Sequence, residues 1–158
     1  MSEKKDLISF EFGERWRNNV RAYILDRNNS LLLVQIPEHI GPKWELVGGG
    51  IKEHETPIQA LKREVFEEVG YENYEVILRI DEPSYERFDT EVIKKFDFDF
   101  IGLKIIRFVV KLDSTEPPIR SDSSEVGMFQ WVDLSEAETY LTFRGQQNCL
   151  KEVILNLA

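Results

Sequence analysis

Apolar and polar positions alternate along this chain in blocks short enough to be read as separate elements. Val20 to Leu25 and Leu31 to Ile36 are β-branched-rich apolar runs separated by Asp26-Arg-Asn-Asn-Ser30. That pattern predicts a hairpin with an Asn-rich turn. Pro37 to Pro42 reads as a loop, and Trp44 to Val47 as a short strand running into Gly48-Gly-Gly50. From Thr56 to Val69 the period changes. Ile58, Leu61, Val65 and Val69 recur at steps of three and four, the stripe of a helix laid on a core. Thr56 and Gln59 have the spacing of a capping box, Pro57 suits the first turn, and Gly70 is placed to end the helix.

Further on, Tyr74 to Ile80 is a predicted strand, followed by a polar, aromatic-rich stretch from Asp81 to Asp99. Leu103 to Leu112 is the longest strand candidate, with little charge besides Lys104, Arg107 and Lys111. Ser114 to Glu125, with its prolines and serine/aspartate cluster, reads as a loop. Met128 to Val132 is a strand and Leu134 to Tyr140 a short helix. Cys149, Leu150, Val153, Ile154 and Leu157 have helical spacing within a C-terminal helix from Gln146 to Leu157. Strands interleaved with helices predict an α/β layered domain. With 158 residues and no repeat or linker, the expectation is one domain over 1–158.

Composition narrows the function classes. Hydrophobic residues make up 42% and charged residues 31%, the balance of a soluble globular chain. No apolar run approaches the roughly 20 residues of a membrane span, and Met1 to Asp6 is charged, unlike a signal peptide. Cys149 is the only cysteine, which excludes an intrachain disulfide and fits a reducing compartment. A cytoplasmic protein without membrane association is therefore expected. The net charge of −9, from 29 acids against 20 bases, argues against a protein held to nucleic acid by a broad basic surface. It leaves room for a phosphorylated small molecule whose charge is bridged by divalent cations.

The Thr56–Val69 helix carries a second stripe. Glu64, Glu67 and Glu68 stand at i, i+3 and i+4, so three carboxylates share one face and repel one another. A hard divalent cation turns that repulsion into binding, because Mg²⁺ favours oxygen ligands. Arg63, four residues before Glu67, can pair with a carboxylate and orient it. The glycines upstream let backbone come close to a metal or phosphate, with carbonyls free to ligate. Taken alone, an acidic helix face is usually only a solvated one. The surrounding residues decide the matter. Gly49, Glu55, Arg63, Glu64, Val65, Glu67, Glu68, Gly70 and Tyr71 fall without a gap on G-x5-E-x7-R-E-U-x-E-E-x-G-U, where U is apolar. This resembles the Nudix box. Tyr71 replaces the usual aliphatic residue and Val47 stands where many members have proline.

The layout around the box is also similar to that family: the upstream hairpin, the Trp44–Gly50 approach and a late Glu125…Trp131-Val132. The resemblance implies an α/β/α sandwich around a mixed β-sheet and hydrolysis of a phosphoanhydride in a nucleoside-diphosphate-linked substrate. It implies Mg²⁺ or Mn²⁺ as cofactor, held by Glu64, Glu67, Glu68 and the Gly48 carbonyl. Glu68 or Glu125 would serve as general base, with Arg63 beside them; the other reading of Glu125 is a solvated loop acid. Homodimers are common in the family.

For the substrate, Ile101 to Leu112, Glu125, Trp131-Val132, Phe143-Arg144 and Lys151-Glu152 are similar to the branch acting on dinucleoside polyphosphates and RNA 5′-triphosphates. The glycine at 48, where that branch commonly has glutamine, counts against the branch, and the acidic surface favours a small nucleotide over an RNA 5′ end. Phe143 and Arg144 either hold a base and phosphate or are core and surface residues. Tyr85 to Phe100 is the expected specificity loop, with Tyr85 and Arg87 as substrate contacts. Phe96, Phe98 and Phe100 are expected to face the core as a strand. Arg21 is a candidate phosphate contact. His39 and His54 read as surface residues and Cys149 as core. Isomerases with a box-like helix need a cysteine ahead of it, which is missing here. A binding module would be expected to have lost box carboxylates, and all are kept.

Overall fold

A computed structural model describes residues 5–35, 44–113, 128–141 and 144–157. The loops expected at Pro37–Pro42 and Ser114–Glu125, and with them His39, Glu125 and Phe143, lie outside the described residues, as does the side chain of Arg144.

The described strands form one seven-stranded mixed sheet. Strand β2 (Glu14–Leu25) is its hub. It pairs in parallel with β6 (Gly102–Leu112) and antiparallel with β1 (Ile8–Glu11), β3 (Ser30–Gln35) and β4 (Val47–Gly50). Outside these lie β5 (Tyr74–Arg87), antiparallel to β6, and β7 (Met128–Asp133), antiparallel to β3.

Alternation along β2 divides the core in two. Val20, Ala22 and Ile24 pack with Leu61, Val65 and Val69 of α1 (Pro57–Val69) on one face. Tyr23 and Leu25 pack on the other face, against Cys149, Leu150 and Val153 of α4 (Arg144–Leu157) and Ala137 of α3 (Leu134–Ala137). The result is the expected helix–sheet–helix layering. Among the described residues no helix is long and apolar enough to cross a membrane.

Helix α1 is built as its sequence demands. Thr56 accepts from the Gln59 N–H and Gln59 returns a bond to the Thr56 N–H. Gly70 closes the helix at φ 81°, a left-handed conformation open to glycine at no steric cost. Tyr71 fills a core site, as an aromatic can.

Several expectations are corrected. The glycines follow no strand; they are the strand, with Gly48, Gly49 and Gly50 opposite Arg21, Val20 and Asn19. Tyr85 to Phe100 is no loop. β5 runs on to Arg87 and is followed by a short helix, α2 (Thr90–Phe96). The phenylalanines do not form a strand: Phe96 and Phe98 stack at 5.5 Å, Phe98 and Phe100 at 4.8 Å, and Phe88 joins them. Helix α3 stops at Ala137, short of Tyr140. On α4, Ile154 turns outward at 41% exposure, because Val153 already takes the inward position. Strand β1 was not anticipated. Its turn onto β2 places Phe12 and Gly13 at φ 55° and 75°, and a phenylalanine is a rare residue there.

Candidate active site

The site is organised around Arg63. Its Nε and Nη2 fork onto the two oxygens of Glu55 at 2.7 and 2.9 Å. Nη2 also donates to the Gly50 carbonyl at 2.8 Å, and Nη1 to Glu64 at 2.7 Å and Glu67 at 3.3 Å. The guanidinium pKa is raised above its ordinary value, first by the Glu55 hydrogen bond, with Glu64 adding to it against the opposing effect of burial. The sequence pointed to Glu67 as the partner of Arg63. The closer partners are Glu55 and Glu64, since a planar fork is satisfied by a carboxylate approaching in its plane and not by one a helical turn away. Glu55 is itself fixed by the Lys52 N–H at 2.8 Å.

Strand β4 supplies the other half. In antiparallel pairing alternate residues turn their backbone groups away from the neighbouring strand. Gly48 and Gly50 are those residues. The Gly48 N–H donates to Glu68 Oε2 at 2.8 Å, and the Gly50 carbonyl receives Arg63. The Gly48 carbonyl shares the edge of its own N–H, whereas that of Gly50 is already engaged. Between them, Gly49 is pressed against α1. A Cβ added there would fall inside the Glu64 carboxyl group. Glycine at 49 is thus a requirement of close approach.

Glu64 and Glu68 are buried and Glu67 is half-exposed. One guanidinium therefore compensates Glu55, Glu64 and Glu67 together. The donors are all oxygens, the chemistry of a hard divalent cation. Among the described residues no three His, Cys, Asp or Glu side chains already converge on one point. Glu64 and Glu67 are instead turned toward Arg63.

The expected substrate residues are dispersed. Arg21 lies over Gly48 on the face away from α1, and its Nη1 donates a long bond to the Val20 carbonyl at 3.4 Å. Tyr85 packs against Phe12 and Trp16, and its hydroxyl donates to Glu11 at 2.9 Å. Arg87 forks onto Glu14 at 2.6 and 2.9 Å and covers the Trp16 ring. Both side chains brace the β1–β2 hairpin with their polar ends engaged. His54 is exposed, as expected, at φ 76°.

Between Tyr85 and Arg87, the unconsidered Glu86 points to the opposite face and reaches Arg107 at 3.0 Å. A buried acid also stands ahead of β4. Burial holds the Glu45 carboxyl above its usual range, with Arg21 opposing and Glu86 adding to the shift. Arg107 had a signal in the sequence: its parity along β6 is that of Ile105 and Val109, both core residues.

Comparison with known proteins agrees with this geometry. The NUDIX domain family model matches residues 15–153. An RNA pyrophosphohydrolase from Acidiphilium cryptum is 30% identical over 127 residues, covering 76% of this chain and 77% of its own. Among solved structures, the E. coli dihydroneopterin triphosphate pyrophosphohydrolase superposes with a TM-score of 0.72 at 16% identity, over 88% of this chain and 95% of that one. A C. elegans Ap4A hydrolase gives 0.70 at 16% identity, over 89% and 96%. At such identities the structural likeness speaks for the fold.

Proposed function

The chain belongs to the Nudix family, and from that membership we propose that it is a divalent-metal-dependent hydrolase of nucleoside or dinucleoside polyphosphates. Cleavage of a pyrophosphate bond in a nucleotide is the activity of such enzymes. The observation that carries the reading here is the Arg63 clamp, which holds a face of carboxylates against the bare backbone of β4.

The donor set suits Mg²⁺ or Mn²⁺, with Glu64, Glu67, Glu68 and the Gly48 carbonyl as ligands. When bound, the metal neutralises phosphate charge and makes a bound water more acidic. The residues do the rest. Glu55 fixes Arg63, and Arg63 keeps Glu64 and Glu67 at the helix face. Glu68, positioned by the Gly48 N–H, accepts the proton of the water that attacks phosphorus. The new P–O bond forms as the bridging P–O bond breaks, leaving a nucleoside monophosphate and the remaining phosphorylated fragment. Glu125, outside the described residues, is the second candidate for base.

A second reading has a specific observation behind it: curated relatives such as that of A. cryptum are RNA pyrophosphohydrolases, so an RNA 5′ end is the alternative substrate. The net charge of −9 favours the small nucleotide. The buried, unpaired Cys149 fits a cytoplasmic setting. The deciding experiment incubates the protein and Mg²⁺ with nucleoside triphosphates, dinucleoside polyphosphates, ADP-ribose, nucleotide sugars and 5′-triphosphate RNA, and measures products. Turnover of the polyphosphates is expected. Turnover of none, with tight binding of one, would make the chain a binding module.

A further inference from the structure

Arg107, in the middle of β6, is 1% exposed. A buried guanidinium is costly unless its N–H groups are used. Nη2 donates to Glu86 and the guanidinium also meets the Tyr23 hydroxyl, but Nε and Nη1 have no partner in good hydrogen-bond geometry. On that side of the sheet Oδ1 of Asn19 on β2 and Oε1 of Gln146 on α4 also lack a hydrogen-bond partner, as does Nε of Arg17, which faces Asp6 at 3.4 Å. Native interiors hold few such atoms, and each asks for an explanation.

The residues that carry these atoms lie on one side of the sheet. Glu86 is paired with Leu103, so the Arg107 and Glu86 side chains meet over the intervening Ile105. Asn19 is the neighbour of Ile105 on β2. Tyr23, on the same face, donates to the Gln146 carbonyl at 2.6 Å. Burial pushes its phenol up, and the adjacent Arg107 pulls it back. Arg21, opposite both Arg107 and Gly48, connects the cluster to the glycine strand. A nucleotide with its phosphates at the β4–α1 junction would have its base on this face.

We propose that Arg107 is a specificity-determining residue that reads guanine. Arginine offers donors only. Guanine presents two adjacent acceptors, O6 and N7, to a pair of guanidinium N–H groups, whereas adenine puts an amino donor where O6 would be. The unpartnered carbonyl oxygens of Asn19 and Gln146 suit the remaining guanine donors, its ring N–H and amino group. The assignment rests on the chain being a nucleotide-binding Nudix protein, though not on its turnover.

The test is calorimetric titration of GMP, AMP, UMP and inorganic phosphate into the full chain in Mg²⁺; none of these ligands has a phosphoanhydride, so hydrolysis plays no part. GMP should bind at least about tenfold more tightly than AMP or UMP. Arg107→Gln should bring GMP to the AMP level while AMP changes less than about twofold. Arg107→Lys, which keeps the charge and loses the fork, should also lose the GMP preference and leave inorganic phosphate binding unchanged. Circular dichroism establishes that each variant is folded, and the wild-type preference needs no variant at all. Equal affinity for GMP and AMP overturns the proposal. So does a uniform loss for every ligand in Arg107→Gln, which would make Arg107 an anion contact. Failure of the turnover panel leaves this result standing, and absence of the GMP preference leaves turnover standing.

Discussion

Arg63 and Glu55, eight residues apart in sequence, form a two-pronged ion pair at 2.7 and 2.9 Å across the junction of loop and helix. Glu55 stands ahead of the helix cap and Arg63 two turns inside it. The pair ties the loop after β4 to the helix bearing Glu64, Glu67 and Glu68. Replacing Glu55 removes the forked partner of a part-buried guanidinium, which keeps Glu64, Glu67 and the Gly50 carbonyl. Glu55→Gln should therefore lower unfolding stability by about 1–3 kcal/mol in urea titration, and lower kcat more than it raises KM. A change in KM alone would mean that Glu55 touches substrate and does not position Arg63.

Glu67 is the half-exposed member of the acidic face. Glu67→Gln should alter stability in EDTA by less than about 0.5 kcal/mol and reduce turnover by more than about 100-fold. Ligands that bind the native state raise its melting temperature. The rise that Mg²⁺ gives the wild type should shrink in this variant. An undiminished rise removes Glu67 from the metal site.

Gly49 and Gly48 are both intolerant of a side chain, for different reasons. A Cβ at 49 meets the Glu64 carboxyl, and a Cβ at 48 meets the Val20 backbone carbonyl. A carboxyl group can swing aside and a sheet backbone cannot. Gly49→Ala should stay folded and lose Mg²⁺-dependent activity, while Gly48→Ala should be the more destabilised of the two in thermal melts. The reverse order would contradict the packing described.

Glu45 supplies a pH signature. Burial raises its folded-state pKa above the ordinary 4.5. Its contribution to stability is then fully present below that value and is lost as pH rises through the folded pKa. Glu45→Gln should melt higher than the wild type at pH 8, and the advantage should vanish near pH 4. An offset equal at both pH values would mean the carboxylate is compensated in the folded chain.

The sequence by itself determined the elements whose causes are local. The capping box at Thr56, the left-handed glycine at 70 and the spacing of Leu61, Val65 and Val69 define α1 within a few bonds of each residue. The carboxylate face follows from helical geometry alone, and the hairpin of β2 and β3 from two apolar runs with a polar turn. Tertiary structure decided everything that depends on which strand lies beside which. Arg63 could be read as a partner for Glu67, four residues along its helix, but only folding brings Glu55 and the Gly50 carbonyl into the plane of its fork. Tyr85 and Arg87 had the right chemistry for a substrate, yet the pairing of β5 with β6 sends them to Glu11 and Glu14. The same alternation sends Glu86 to Arg107. A side chain's type is written in the sequence; its partner across a sheet is set by register, where a shift of one residue reverses the face.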